Sequence, residues 1–196
     1  MNPQMLNFVN GLKPVLAAMM HSPARNYVIP GLTSWLIGPE APCKDGRVRV
    51  FTCEREHEEN ILPHSHRFDF TCLVLEGSVR QVLWREVDVT MGIGADAPRF
   101  ADLYEVSRVT YEGTLGVHQK KFDRRAFFQR KEQQYTAGET YVMKADEIHS
   151  IFFSRGATVL FFEGHNYKDD SVVLEPVVDG ETIPLFFTES WMFKKD

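Results

Sequence analysis

Pro63-His64-Ser65-His66-Arg67-Phe68-Asp69-Phe70-Thr71-Cys72-Leu73-Val74-Leu75-Glu76-Gly77 is an apolar run that opens with two histidines two residues apart. In a β-strand successive side chains point to opposite faces. His64 and His66 therefore share a face with Phe68 and Phe70, and Ser65, Arg67, Asp69 and Thr71 take the other. Two imidazoles at this spacing, roughly 6–7 Å apart at Cβ, can lean toward one ion about 2.0–2.1 Å from each nitrogen. Such a site needs a further ligand, and His149 is the best candidate. It ends a second strand-like run, Gly138-Glu139-Thr140-Tyr141-Val142-Met143-Lys144-Ala145-Asp146-Glu147-Ile148-His149.

Taken together, these runs resemble the two motifs of the cupin superfamily. The first motif there runs Gly, five residues, His-x-His, three or four residues, Glu, six residues, Gly. The second runs Gly, five residues, Pro-x-Gly-x-x-His. Gly138 and His149 match the second in spacing, with Lys144 and Asp146 at the usual Pro and Gly positions. The first matches at His64, His66 and Gly77, but its glutamate falls at Phe70 or Thr71 and its leading glycine at Glu58. The resemblance therefore implies a three-histidine site, as in cysteine-dioxygenase-like and related thiol dioxygenase cupins. Asp69 is the only nearby carboxylate. Strand parity turns it away from the histidines, so it is expected behind them, or on the ion only through a bulge. The same run is similar to a group of uncharacterised bacterial and phage cupins. The implied fold is all-β, a double-stranded β-helix or jelly-roll barrel.

With 196 residues the chain suits one domain with a sizeable core. Its expected parts are an N-terminal helix (1–20), a first motif half (47–89), an inserted β-hairpin region (90–135), a second motif half (136–165) and a tail (166–196). Hydrophobic residues at 43% and 15 Phe suit a packed interior, and a mean hydropathy of -0.27 speaks against an integral membrane protein. A net charge of -5 gives no general attraction to nucleic acid. The basic run Lys120, Lys121, Arg124, Arg125, Arg130 and Lys131 reads as a solvated strand face. Three cysteines, Cys43, Cys53 and Cys72, without metal-type spacing suit a reducing compartment. With no signal-like N-terminus, the expected location is the cytoplasm.

Along the chain, Asn2 and Pro3 can start a helix carrying Leu6, Val9, Leu12, Leu16 and Met19 at helical spacing, with Pro14 expected to interrupt or kink it. Tyr27-Val28-Ile29, Leu32 to Ile37 and Arg47 to Cys53 read as strands. A hairpin is expected at Glu76-Gly77, leading into a strand from Ser78 to Val89. Thr90 to Phe100 reads as a loop. Leu103 to Glu112, a turn at 113–116 and the polar stretch to Tyr135 read as a long hairpin or pair of strands, inserted over or beside the barrel mouth. Ser150 to Phe153 and Ala157 to Phe162 are buried-strand runs. The tail carries Val172, Val173, Leu174, Leu185, Phe186, Phe187, Trp191 and Phe193, and could pack on the barrel or, as the resemblance implies, on a second copy in a homodimer.

Three neutral imidazoles leave open positions on an ion and suit Fe(II) first, with Mn, Ni, Co or Zn as alternatives. With iron, oxidation of a thiol or another small substrate is the implied reaction. Tyr141 and Tyr111 are candidate acids or hydrogen-bond donors, and Arg67, Arg80 and Arg155 candidate carboxylate clamps. Arg108, His118, Arg124 and Arg125 could meet an anionic ligand. For all of these an ordinary structural role is the stronger expectation. His66 stands where 2-oxoglutarate oxygenases place an acid, which argues against that class. A metal-assisted isomerase, lyase or epimerase, a ligand-sequestering protein and a structural cupin remain as alternatives.

Overall fold

The computed structural model describes residues 3–25, 29, 31–38, 47–56, 62–87, 101–112, 117–178, 181–182 and 194–195. The Asn2 cap, the strand at Tyr27 and Val28, Cys43, the loop at 90–100, the turn at 113–116 and the tail residues from Leu185 to Phe193 lie outside them. In chain order the elements are α1 (Pro3–Met19), β1 (Met20–Arg25), β2 (Leu32–Ile37), β3 (Arg47–Cys53), β4 (Phe70–Glu76), β5 (Ser78–Val87), β6 (Asp102–Glu112), β7 (Val117–Thr136), β8 (Thr140–Met143), β9 (Ile148–Phe153), β10 (Thr158–Glu163), β11 (Asp170–Val178), β12 (Glu181–Thr182) and β13 (Lys194–Lys195).

The strands form two antiparallel sheets, ordered β13-β1-β2-β3-β10-β4-β8 and β12-β11-β6-β7-β5-β9. Period-two alternation decides what each face of the first sheet meets. Cys72 and Val74 of β4 join Cys53, Tyr141, Met143 and Val159 in the core shared with the second sheet. Leu73 and Leu75, with Val50 and Leu160, face outward and are covered by Val9, Leu12 and Leu16 of α1. Pro14 does not end α1, which runs through it. Asn10 and Pro14 both lie on the exposed side, so the carbonyl left without its helical partner faces water.

Two expectations about the first histidine run change. Pro63 to Phe70 is not one continuous strand. His64 pairs with His149 and Val173 in the second sheet, the chain bends at Arg67 and Phe68, and β4 then enters the first sheet. The carbonyls of the bend are taken up, that of Arg67 by the Tyr167 and Lys168 amides and that of Asp69 by Gly164. Nor is Glu76-Gly77 a hairpin. Both edges of β4 are already occupied by β10 and β8, so β5 crosses to the other sheet, between β7 and β9. Gly77 makes this corner at φ 66 with Ala157 close against it.

The second sheet closes on itself. β11 pairs with β6 along one edge, while on its other edge Ser65 N–H donates to the Val172 carbonyl and Leu174 N–H to the Pro63 carbonyl. The pairings therefore run full circle through β6, β7, β5, β9, the His64 segment and β11. This ring has its own apolar filling of Tyr104, Val106, Phe128 and Leu174, with Trp84, Ala126, Ile148 and Val172 against them. Two packed interiors thus share one wall, β5, β9 and the His64 segment. Small polar residues fit that wall: Ser65 Oγ accepts from Val172 N–H at 2.8 Å, and Ser150 Oγ from Trp84 Nε1 at 3.3 Å.

Candidate metal centre

His64, His66 and His149 are brought together, and among the described residues they form a group with one ligand atom of each within 4.8 Å of the others. Backbone pairing does this. His64 N–H donates to the His149 carbonyl and His149 N–H to the His64 carbonyl, both at 2.9 Å, and His66 N–H donates to the Ala145 carbonyl at 3.0 Å. The rings stand 4.9 Å (His64 to His66), 5.0 Å (His64 to His149) and 5.0 Å (His66 to His149) apart at their centroids.

Hydrogen bonding assigns the tautomers. A carbonyl oxygen can only accept, so His64 Nδ1, 2.9 Å from the Leu62 carbonyl, carries its proton and leaves Nε2 with a lone pair. His149 Nδ1, 2.6 Å from Gln81 Oε1, does the same. His66 Nε2 lies 2.8 Å from His149 Nε2, a contact that a neutral pair closes when His66 Nε2–H donates to His149. Two nitrogens held at right angles on one ion at about 2.1 Å would stand about 3 Å apart. The spacing of the donor set therefore fits a divalent transition metal, which His66 would meet through Nε2 with its proton moved to Nδ1.

Burial keeps the rings neutral, the form that ligates. Desolvation lowers the pKa of His64, and it lowers those of His66 and His149 well below the usual histidine value, with the neighbouring imidazoles adding to the effect. His149 is 2% exposed. His64 and His66 are half-buried.

Aromatic rings wall the site. Phe70, at one of the two positions of the expected motif glutamate, packs 5.0 Å from His66 and 5.8 Å from His149. Phe68 lies 5.5 Å from His66, and Phe161 lies 4.9 Å from Phe70 and 5.2 Å from Phe51. Arg49 and Glu163, on the same face of the first sheet as Phe161, are paired with each other at 3.6 Å.

Asp69 lies outside the histidine group, on the far side of the bend. Its Oδ1 accepts from Ala145 N–H at 2.9 Å and from the Tyr167 hydroxyl, and its Oδ2 from Lys144 Nζ at 2.7 Å. These bonds, that of Lys144 first, hold its pKa down to about 2. Asp69 thus clamps the turn that delivers His149 and does not touch an imidazole.

Tyr141 lies inside the core, stacked on Tyr135 at 4.6 Å and opposite Cys72. Arg67 lies at the bend beside His66. Arg80 pairs with Glu132 at 3.5 Å and covers the Phe152 ring. Arg155 is exposed in the turn between β9 and β10. The side chains of Tyr111 and His118 lie outside the described residues. Four cations of β6 and β7 are paired: Arg108 with Asp170, Arg124 with Glu86 and Asp123, Arg125 with Glu105, and Lys120 with Glu175. Gln81 was missed by the sequence reading. Only its place on β5, two residues from Leu83, which pairs with His149, marks it.

Two antiparallel sheets face each other, and a histidine pair on one chain segment meets a third histidine across a ladder. The chain is a mostly-β barrel of two antiparallel sheets, consistent with the jelly-roll fold that the cupin resemblance implies. No family model matches it, and no curated protein does. Among solved structures it is similar to KdgF from Halomonas sp., at 15% identity and a TM-score of 0.38 over 74% of this chain and 90% of that one. It is similar also to an RmlC-like cupin from Shewanella frigidimarina, at 13% identity and a TM-score of 0.37 over 74% and 86%. The polyketide cyclase RemF from Streptomyces resistomycificus matches at 13% identity and a TM-score of 0.41 over 81% and 79%.

Proposed function

We propose that His64, His66 and His149 hold one divalent transition metal, Fe(II) first among the candidates, and that the protein is a dioxygenase-type enzyme acting on a small molecule in the cytoplasm as a homodimer. The observation that carries this reading is the convergence of the three imidazoles, two of them with Nδ1–H committed to oxygen acceptors. When bound, the ion supplies redox or Lewis-acid chemistry at the positions the imidazoles leave open.

The chain's own contribution is to bind, to orient and to keep water out. Phe51, Phe68, Phe70 and Phe161 form a continuous apolar surface leading to His66. Such a wall favours a flat, largely uncharged substrate over a zwitterionic thiol, since Arg49 and Glu163 satisfy each other. Burial holds the Tyr141 pKa well above its usual value, so its hydroxyl stays protonated.

A second reading, a protein that sequesters a small molecule without turnover, is favoured by Phe70 and Thr71 standing at the two positions where the motif carboxylate would fall. Oxygen consumption separates the two. Protein loaded anaerobically with Fe(II) is mixed with small aromatic alcohols, ketones and thiols in air-saturated buffer. Substrate-dependent oxygen uptake, lost in His66→Ala, supports the enzyme. A co-purifying organic ligand retained after chelation, with no uptake for any compound, supports sequestration.

A further inference from the structure

The two buried polar atoms without a hydrogen-bond partner among the described residues lie next to each other behind His149. They are Gln81 Nε2 and the Tyr141 hydroxyl. Gln81 is 1% exposed and Tyr141 5%. Leaving such groups unpaired inside a core is costly. Cys72 and the Gln81 amide both approach the Tyr141 hydroxyl closely enough to act on its ionisation without closing a bond of good geometry.

Gln81 has two amide orientations, and they impose opposite tautomers on His149. With Oε1 toward the ring, Nδ1 must carry the proton and Nε2 turns its lone pair toward His66. With Nε2 toward the ring, Nδ1 must accept, the proton moves to His149 Nε2, and that nitrogen can no longer ligate. The reverse orientation would also let the Tyr141 hydroxyl donate to Oε1. The structure has the first orientation, at 2.6 Å, and in it Gln81 Nε2 and the Tyr141 hydroxyl are left without partners.

We propose that Gln81 is the positioning residue that fixes His149 as an Nε2 donor. Tyr141 holds the amide in that orientation, accepting from Gln81 Nε2–H and donating to Cys72 Sγ. The relay runs His149 Nδ1–H to Gln81 Oε1, Gln81 Nε2–H to the Tyr141 oxygen and Tyr141 O–H to the Cys72 sulfur. Each bond polarises the next, and every polar group behind the ring is then satisfied. The inference concerns the same centre as the proposed metal site, but its first test does not depend on the ion.

That test is the imidazole nitrogen NMR spectrum of metal-free protein carrying 15N-histidine, in wild type, Gln81→Met, Gln81→Glu and Tyr141→Phe. Wild type is expected to show His149 as the Nδ1–H tautomer and His66 as Nε2–H. Gln81→Met, close in shape but with no acceptor, is expected to move His149 toward Nε2–H, Gln81→Glu to preserve Nδ1–H, and Tyr141→Phe to give a mixture. Zn(II) affinity, read by competition with a chromophoric chelator, is expected to fall about 10–100-fold in Gln81→Met and to hold in Gln81→Glu. An Nε2–H tautomer at His149 in wild type overturns the inference, as does an unchanged tautomer in Gln81→Met. Should Gln81→Met fail to fold, wild type and Gln81→Glu still decide it. A wild type with the expected tautomer that takes up no Zn(II) refutes the metal reading and leaves the role of Gln81 standing.

Discussion

Acidifying the metal-free protein from pH 7.5 to pH 5.5 should destabilise it by several kcal/mol. Burial lowers the folded-state pKa of His64, His66 and His149, whereas in the unfolded chain each titrates near about 6.5. Below that value the unfolded chain binds protons that the folded protein does not accept, so stability is fully present above about pH 6.5 and falls as the pH drops. A group still neutral in the folded state at pH 5.5 contributes about 1.4 kcal/mol of loss. His66 and His149, shifted furthest, account for about 3 kcal/mol, and His64 brings the ceiling to about 4 kcal/mol. This is a large part of a typical stability of about 5–15 kcal/mol. Urea unfolding of chelator-treated protein at the two pH values measures it. His66→Phe, which replaces the ring among Phe68 and Phe70, should remove about a third of the loss. Equal midpoints and slopes at pH 7.5 and 5.5 would refute the claim that these imidazoles are neutral and enclosed.

Two substitutions probe the scaffold that delivers the histidines. Gly77→Ala would place a Cβ 2.9 Å from Ala157 Cα and 2.7 Å from Ser154 Oγ at φ 66. A loss of about 2 kcal/mol or more is expected, and thermal denaturation at matched conditions reads it. Asp69→Ala removes the acceptor of Ala145 N–H and Lys144, and should cost about 1 kcal/mol, since the carboxylate is partly solvated. It should also weaken Zn(II) binding measurably through the loosened turn before His149. An unchanged Zn(II) affinity would show that the turn holds without this clamp.

The strand content was legible in the sequence because most strands have one face in a core and one against water or α1. Arg47 to Cys53 and Leu32 to Ile37 alternate accordingly and stand as β3 and β2. The histidine group was legible too, since His64 and His66 share a face and His149 follows a run with matching spacing. Sheet assignment was not. A Gly after an apolar run signals a turn, but whether that turn joins neighbours in one sheet or crosses between sheets depends on which strands occupy the edges of β4, and β8 and β10 come much later in the chain. The closure of the second sheet by β11 rests on Val172 to Leu174 meeting Pro63 to Ser65, a pairing with no local signal. The basic run on β7 read as a solvated face because its partners Glu86, Glu105 and Glu175 are distant in sequence. Gln81 reads as an ordinary strand polar residue until its partner ring is known.

The most direct test of the central claim is the metal content of protein purified from cells grown with Fe, Mn, Ni, Co and Zn supplied, measured by elemental analysis for wild type, His66→Ala and His149→Ala. The account predicts close to one equivalent of a single transition metal in wild type and loss of it in both variants, with the fold retained by circular dichroism. Wild-type protein that carries no metal and takes none up on addition, or variants that keep the ion, would contradict it.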